Sequence, residues 1–146
     1  MKNILLALDL HGNDEKIIAH ARELAKKFKS KIWLVHIAAP DPDFIGYEVG
    51  PQYIRDSRAE ELRQEHRQLH FITESIQNDG IEADALLIQG PTVEMLKNEV
   101  TKLNIDLVII GSHKHGFIYE TFVGHTGNKL VKQLSIPVLL IPLDNE

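Results

Sequence analysis

The sequence predicts an α/β fold: a single open, doubly wound sheet of five parallel strands with helices on both faces. Three observations carry this. Five short runs are almost continuously apolar rather than alternating, which suits strands buried on both faces. The segments between the runs repeat apolar residues at helical spacing. The fourth run ends in a glycine-punctuated loop that feeds a further helix, as at the C-terminal end of a parallel strand.

The first strand is expected at Ile4–Asp9. A helix follows on Ile17, Ile18, Ala21, Leu24, Ala25 and Phe28, with Asn13 or Asp14 as its N-cap. The second strand is Ile32–Ile37, with Trp33 read as core. The segment Ala38–Gln52 holds Pro40, Pro42, Gly46, Gly50 and Pro51 and reads as irregular, with the length of a functional loop. Ala59, Leu62, Leu69, Ile72 and Ile76 mark a longer helix, and its charges from Arg55 to Arg67 read as a solvated face. A third strand, Ala83–Ile88, leads through Gly90-Pro91-Thr92 into a helix on Met95, Leu96, Val100 and Leu103. The fourth strand, Leu107–Ile110, stops at Gly111. Leu130, Val131 and Leu134 mark a last helix before the final strand, Val138–Ile141, which Pro137 and Pro142 bound. Such alternation calls for right-handed crossovers within one sheet.

Composition narrows the function classes. The chain has 146 residues, enough for one domain with a real core. It is 43% hydrophobic and 25% charged, the balance of a globular protein rather than a disordered one. No apolar run approaches the roughly 18 residues needed to span a bilayer, so no membrane partner is expected. The opening Met1-Lys2-Asn3 lacks the pattern of a signal peptide. With no cysteine, disulfide, thiol and zinc–thiolate chemistry are excluded, and a cytoplasmic location is expected. A net charge of −5 without a basic stripe argues against nucleic acid.

The loop after the fourth strand is where chemistry is expected. Unpaired backbone N–H groups and the dipole of the following helix favour an anion there. Gly111 and Gly124 are the cradle candidates, because glycine lets the backbone approach phosphate oxygens. Lys114 adds a cation that reaches phosphate as a point charge, or else fills the space a phosphate needs. Thr126 either contacts the ligand or caps the last helix. His113, His115 and His125 share the loop, and His11 is a candidate neighbour after the first strand, but no obvious carboxylate stands with the three loop histidines and no metal site is expected.

Taken in order, these elements resemble the universal stress protein family. The resemblance is carried by Leu5-Leu6-Ala7-Leu8-Asp9, Leu34-Val35-His36-Ile37, Gly90-Pro91, Asp106 through His113 and Ile136 through Ile141, and it runs nearly end to end. It implies a Rossmann-like sheet of order 3-2-1-4-5 and a homodimer formed through the last strand, Val138–Ile141. ATP-binding members carry Gly-x-x-Gly, nine residues, then Gly-Ser/Thr. Here Gly111 matches the first position, Lys114 replaces the second glycine, His115–Val123 supplies the nine, Gly124 matches, and His125 replaces Ser/Thr with Thr126 next. The resemblance places Asp9 at a ribose and Ile37 at an adenine read by backbone. It counts Ala7 among the contacts and sets Gly111, His113, Lys114, Gly124, His125 and Thr126 around phosphates.

Two functions follow as expectations. One is a regulatory sensor that holds ATP or a related adenine nucleotide across the crevice. The other is a nucleotide-free dimer acting through protein contacts, to which Lys114 and His125 point. An enzyme on the same fold is disfavoured: there is no Walker motif and no catalytic constellation, so at most slow hydrolysis is expected.

Overall fold

The computed structural model describes residues 1–8, 10, 14–38, 52–89, 92–112 and 133–143, with the side chains of 37, 38, 52–58, 89, 92–95 and 112 left aside. In chain order these form β1 (Asn3–Leu8), α1 (Asp14–Phe28), β2 (Lys31–Ala38), α2 (Gln52–Asn78), β3 (Ala83–Gln89), α3 (Thr92–Lys102), β4 (Leu107–Ser112) and β5 (Val138–Pro142). All strand pairs are parallel, and the sheet order is β3-β2-β1-β4-β5. This is the order that the resemblance implies.

Side chains on each strand alternate between two apolar layers, because successive residues point to opposite faces. One layer joins Ile4, Leu6 and Leu8 of β1 and Ile32 and Leu34 of β2 to Ile17, Ala21 and Ala25 of α1 and Leu69 and Ile76 of α2. The other joins Leu5 and Ala7 of β1, Val35 of β2 and Val108 and Ile110 of β4 to Leu96 of α3. Residues Ile4 to Leu8 are wholly buried. Each such leucine or isoleucine contributes roughly 1.5–3 kcal/mol relative to exposure.

Helix ends follow local chemistry. Asp14 and Glu15 open α1 and Lys26 and Lys27 close it, matching the helix dipole. Three helices stop on a left-handed residue: Lys29 (φ 55°), Gly80 (φ 83°) and Asn104 (φ 53°). The following N–H then reaches back, Ser30 to the Ala25 carbonyl and Ile105 to the Val100 carbonyl, each at 3.0 Å.

Several expectations shift. Ala38 closes β2 and Gln52 opens α2, so both ends of the segment expected to be irregular are regular; 39–51 lie outside the described residues. β4 runs on through Gly111 to Ser112. Phe28 is in phase with the buried stripe of α1, yet it is the last helical residue and is 53% exposed, because the core layer ends at Ala25. Trp33 is half-buried rather than core. Its indole N–H donates to Asn3 Oδ1 at 3.2 Å, and the Lys31 ammonium sits 3.8 Å from the ring centroid. Of the last helix, Gln133 is described and helical, Leu134 packs on the second layer, and Leu130 and Val131 lie outside the described residues. Among the described residues no helix is long and apolar enough to cross a membrane.

The start of the central strand is fastened by Asp106, just before β4. Its Oδ2 accepts the N–H groups of Lys2 (2.8 Å) and Asn3 (3.0 Å). Those bonds, from Asn3 first and Lys2 second, hold the carboxyl below the usual carboxylate range. A lowered folded pKa means stability that is present above the ordinary carboxylate range and lost as pH falls through the folded value. Asp106→Asn is therefore expected to lower the melting temperature at neutral pH and to flatten the acid limb of its pH profile; an unchanged acid limb would show that these bonds carry no linkage.

Candidate functional site: the ends of β1, β2 and β4

Parallel pairing brings three strand ends to one level. Leu8 is in register with His36. β1 and β4 run Ile4↔Leu107, Leu5↔Val108 and Leu6↔Ile109, the last pair lying two residues before Leu8 and Gly111. The sheet order reverses between β1 and β4, which opens a crevice beyond their carboxyl ends. Leu8, His36 and Gly111 form its floor, all turned toward the layer that α1 and α2 cover.

Gly111 is buried, and the reason it lacks a side chain is visible. A Cβ there would stand 2.7 Å from Ile17 Cδ1 and 3.0 Å from Leu143 Cγ, and against Leu143 Cδ1. α1 and the residue after β5 thus close on the floor from below. Lys16 holds them together by donating to the Pro142 carbonyl at 2.7 Å.

Past Leu8 the chain turns sharply. Leu10 has φ 62°, a left-handed conformation costly for a branched side chain. Two contacts hold it. Its side chain is buried in the first core layer, and its N–H donates to Asp14 Oδ2 at 3.1 Å. Asp14, expected only as a candidate cap, is the anchor of the β1–α1 turn.

His36 completes the floor. It is 2% exposed. Its Nδ1 lies 2.9 Å from the Leu8 carbonyl oxygen and its Nε2 lies 2.9 Å from Glu65 Oε2 on α2. Neither His36 nor Glu65 was singled out as a site residue. A polar residue in an otherwise apolar strand run was the available signal.

The expected site residues divide accordingly. Ala7 is wholly buried in the second layer, in register with Val35. Ile37 lies in β2 opposite Ile88 of β3, one residue beyond His36. Gly111 is opposite Ile141 of β5. Asp9, His113, Lys114, Gly124, His125 and Thr126 lie outside the described residues, as do His11 and His115. A separate groove of about 540 Å³ runs between α1 and α2, past Ile18, Phe71 and Ile72. Its lining is mixed, with Glu15, Gln68 and Arg22 beside the apolar residues, and Arg22 is tied to Ser75 Oγ (2.8 Å) and Asp79 (3.1 Å).

An open parallel sheet with a crevice at its switch point defines the class: a doubly wound α/β protein of the Rossmann-like kind. Within that class the chain belongs to the universal stress protein family, whose profile it matches over residues 1–142. A universal stress protein from Thermus aquaticus is 29% identical over 142 residues, covering 96% of this chain and 98% of that one. The fold is similar to that of a universal stress protein from Lactobacillus plantarum, with TM-score 0.74, 12% identity, and 96% and 97% of the two chains covered. It is also similar to two nucleotide complexes. One is the Archaeoglobus fulgidus universal stress protein with dAMP (TM-score 0.65, 16% identity, 97% and 98% covered). The other is an Arabidopsis thaliana family member with AMP (TM-score 0.62, 18% identity, 99% and 94% covered).

Gly111→Val tests the packing of the floor. Overfilling a closed site costs about 1–3 kcal/mol, so the variant is expected to melt several degrees lower without ligand. A melting temperature equal to wild type would show that Ile17 and Leu143 yield freely.

Proposed function

We propose that this stress protein holds an adenine nucleotide in the crevice and works as a regulatory sensor or switch. The observation that carries the reading is the common level of Leu8, His36 and Gly111. Asp9 and Ile37, the residues matched to ribose and adenine, each follow directly on a floor residue. The dAMP and AMP complexes of similar folds support an AMP-type ligand. On this reading Asp9 accepts hydrogen bonds from the sugar and backbone at Ile37 reads the base edge. Backbone between Gly111 and Thr126 receives the phosphate, with Lys114 as a counter-charge. No step of bond cleavage is assigned. A cytoplasmic site of action goes with this reading.

The test is thermal unfolding with AMP, ADP, ATP and cyclic AMP. A ligand at a hundredfold over its Kd adds about 2.7 kcal/mol by mass action, so the melting temperature is expected to rise by several degrees, and not for Gly124→Val. No shift for any of the four at millimolar concentration, with the protein folded, overturns the nucleotide reading.

A second reading, a nucleotide-free dimer, is favoured by Lys114 and His125 and by the edge at β5. Leu139 and Leu140 there are 36% and 42% exposed, and among the described residues β5 pairs with β4 alone. An uncovered edge strand is a template for a second chain, and a two-fold partner satisfies it. Sedimentation at tens of micromolar is expected to give a dimer, with Leu140→Lys shifting it toward monomer. A monomeric wild type removes the dimer from both readings.

A further inference from the structure

We infer that His36 and Glu65 form a proton-dependent strap beneath the crevice, a positioning pair that fixes the end of β1 against α2. The strap itself follows from geometry; its effect on a ligand rests on the nucleotide reading above.

The proton count is set by the partners. A carbonyl oxygen only accepts, so Nδ1, 2.9 Å from the Leu8 carbonyl, carries a hydrogen. An ionised carboxylate also only accepts. The 2.9 Å contact between Nε2 and Glu65 Oε2 therefore needs a second proton, carried by the ring or by the carboxyl. Without that proton, a ring lone pair faces carboxylate lone pairs at the same distance. Water screens this poorly, since the side chains are 2% and 14% exposed. The contact is thus attractive in one protonation state and repulsive in the other.

The surroundings leave this pair in charge of the position. β1 and β3 bring apolar residues level with His36: Leu8 and Leu87. α1 brings Asp14, whose carboxylate holds the Leu10 N–H. α2 brings Glu61 one turn before Glu65, exposed where Glu65 is half-buried. Asp9 lies outside the described residues. While the proton is held, α2 and the ends of β1 and β2 move as one body. When that proton is absent, the Glu65 contact is lost and the Leu8–Leu10 turn loosens. The contribution to order is present while the pair holds the proton and lost when the proton leaves.

The experiment uses the full chain without ligand. Nitrogen-15 NMR of the His36 ring reports which nitrogens carry hydrogen. Hydrogen exchange at the Leu8 and Leu10 amides, corrected for intrinsic pH dependence, reports the turn. Glu65→Gln is the comparison, because a Gln amide either accepts from an N–H or donates to a lone pair, so its bond survives both ring states. Wild type is expected to show a proton between Nε2 and Glu65 at about pH 6, with amide exchange several-fold faster at about pH 8. The Gln variant is expected to show no such change. The strap is overturned by a bare Nε2 beside an ionised Glu65 at about pH 6, a result that needs no variant. It is equally overturned by identical pH dependence in the two proteins. AMP titration at both pH values then tests positioning, with the variant controlling for the phosphate's own titration. Affinity is expected to fall several-fold more in wild type than in the variant; equal falls overturn the positioning role. If AMP binds at neither pH, the nucleotide reading fails while the ring and exchange results still decide the strap.

Discussion

The constraint on which the rest of the molecule depends is the burial of β1. Residues Ile4 to Leu8 have a strand on either side and an apolar layer on either face, and none is exposed. Polar groups at both ends of this strand are taken up by protein partners. At the start, Asp106 takes the N–H groups of Lys2 and Asn3. At the end, His36 takes the Leu8 carbonyl and Asp14 takes the Leu10 N–H. Each end of the central strand is thereby assigned to side chains, three of the four bonds reaching far along the chain.

That solution also shapes the crevice. Asp9 and Ile37, the residues of the proposed site matched to ribose and adenine, follow Leu8 and His36 directly in the sequence. Gly111 belongs to the same device. It matches a cradle glycine from the ligand side and admits Ile17 and Leu143 from the core side. These uses are compatible, since a bare Cα leaves room on both. Leu143 follows β5 directly, so the edge strand and the crevice floor share a packing contact.

Much of the architecture was legible along the chain. The largely apolar runs place all five strands to within two residues at each end, because strands of a parallel sheet are mostly apolar along their length. Three helices follow from their apolar spacing, though α2 begins at Gln52, well before Ala59. Trp33, read as core, is only half-buried at the margin of the second layer. Periodicity says which side of an element a residue occupies, not whether the neighbouring layer extends that far. Of the expected ligand contacts, Ala7, Ile37 and Gly111 fall within the described residues, and Gly111 shows how a residue type suited to phosphate equally suits close packing.

The amino-acid order by itself determined the number and direction of the strands, the family to which the chain belongs and the loop in which anion chemistry is to be sought. These are local or additive properties: apolar runs, turn residues and motif spacing. Only the tertiary structure decided that His36 meets Leu8 and Glu65, 28 and 29 residues away, and that Asp106 meets Lys2 across 104. Those meetings depend on the register between strands and on how each crossover helix settles on the sheet. Register is a cooperative outcome of packing the whole core, and no short stretch of chain encodes it.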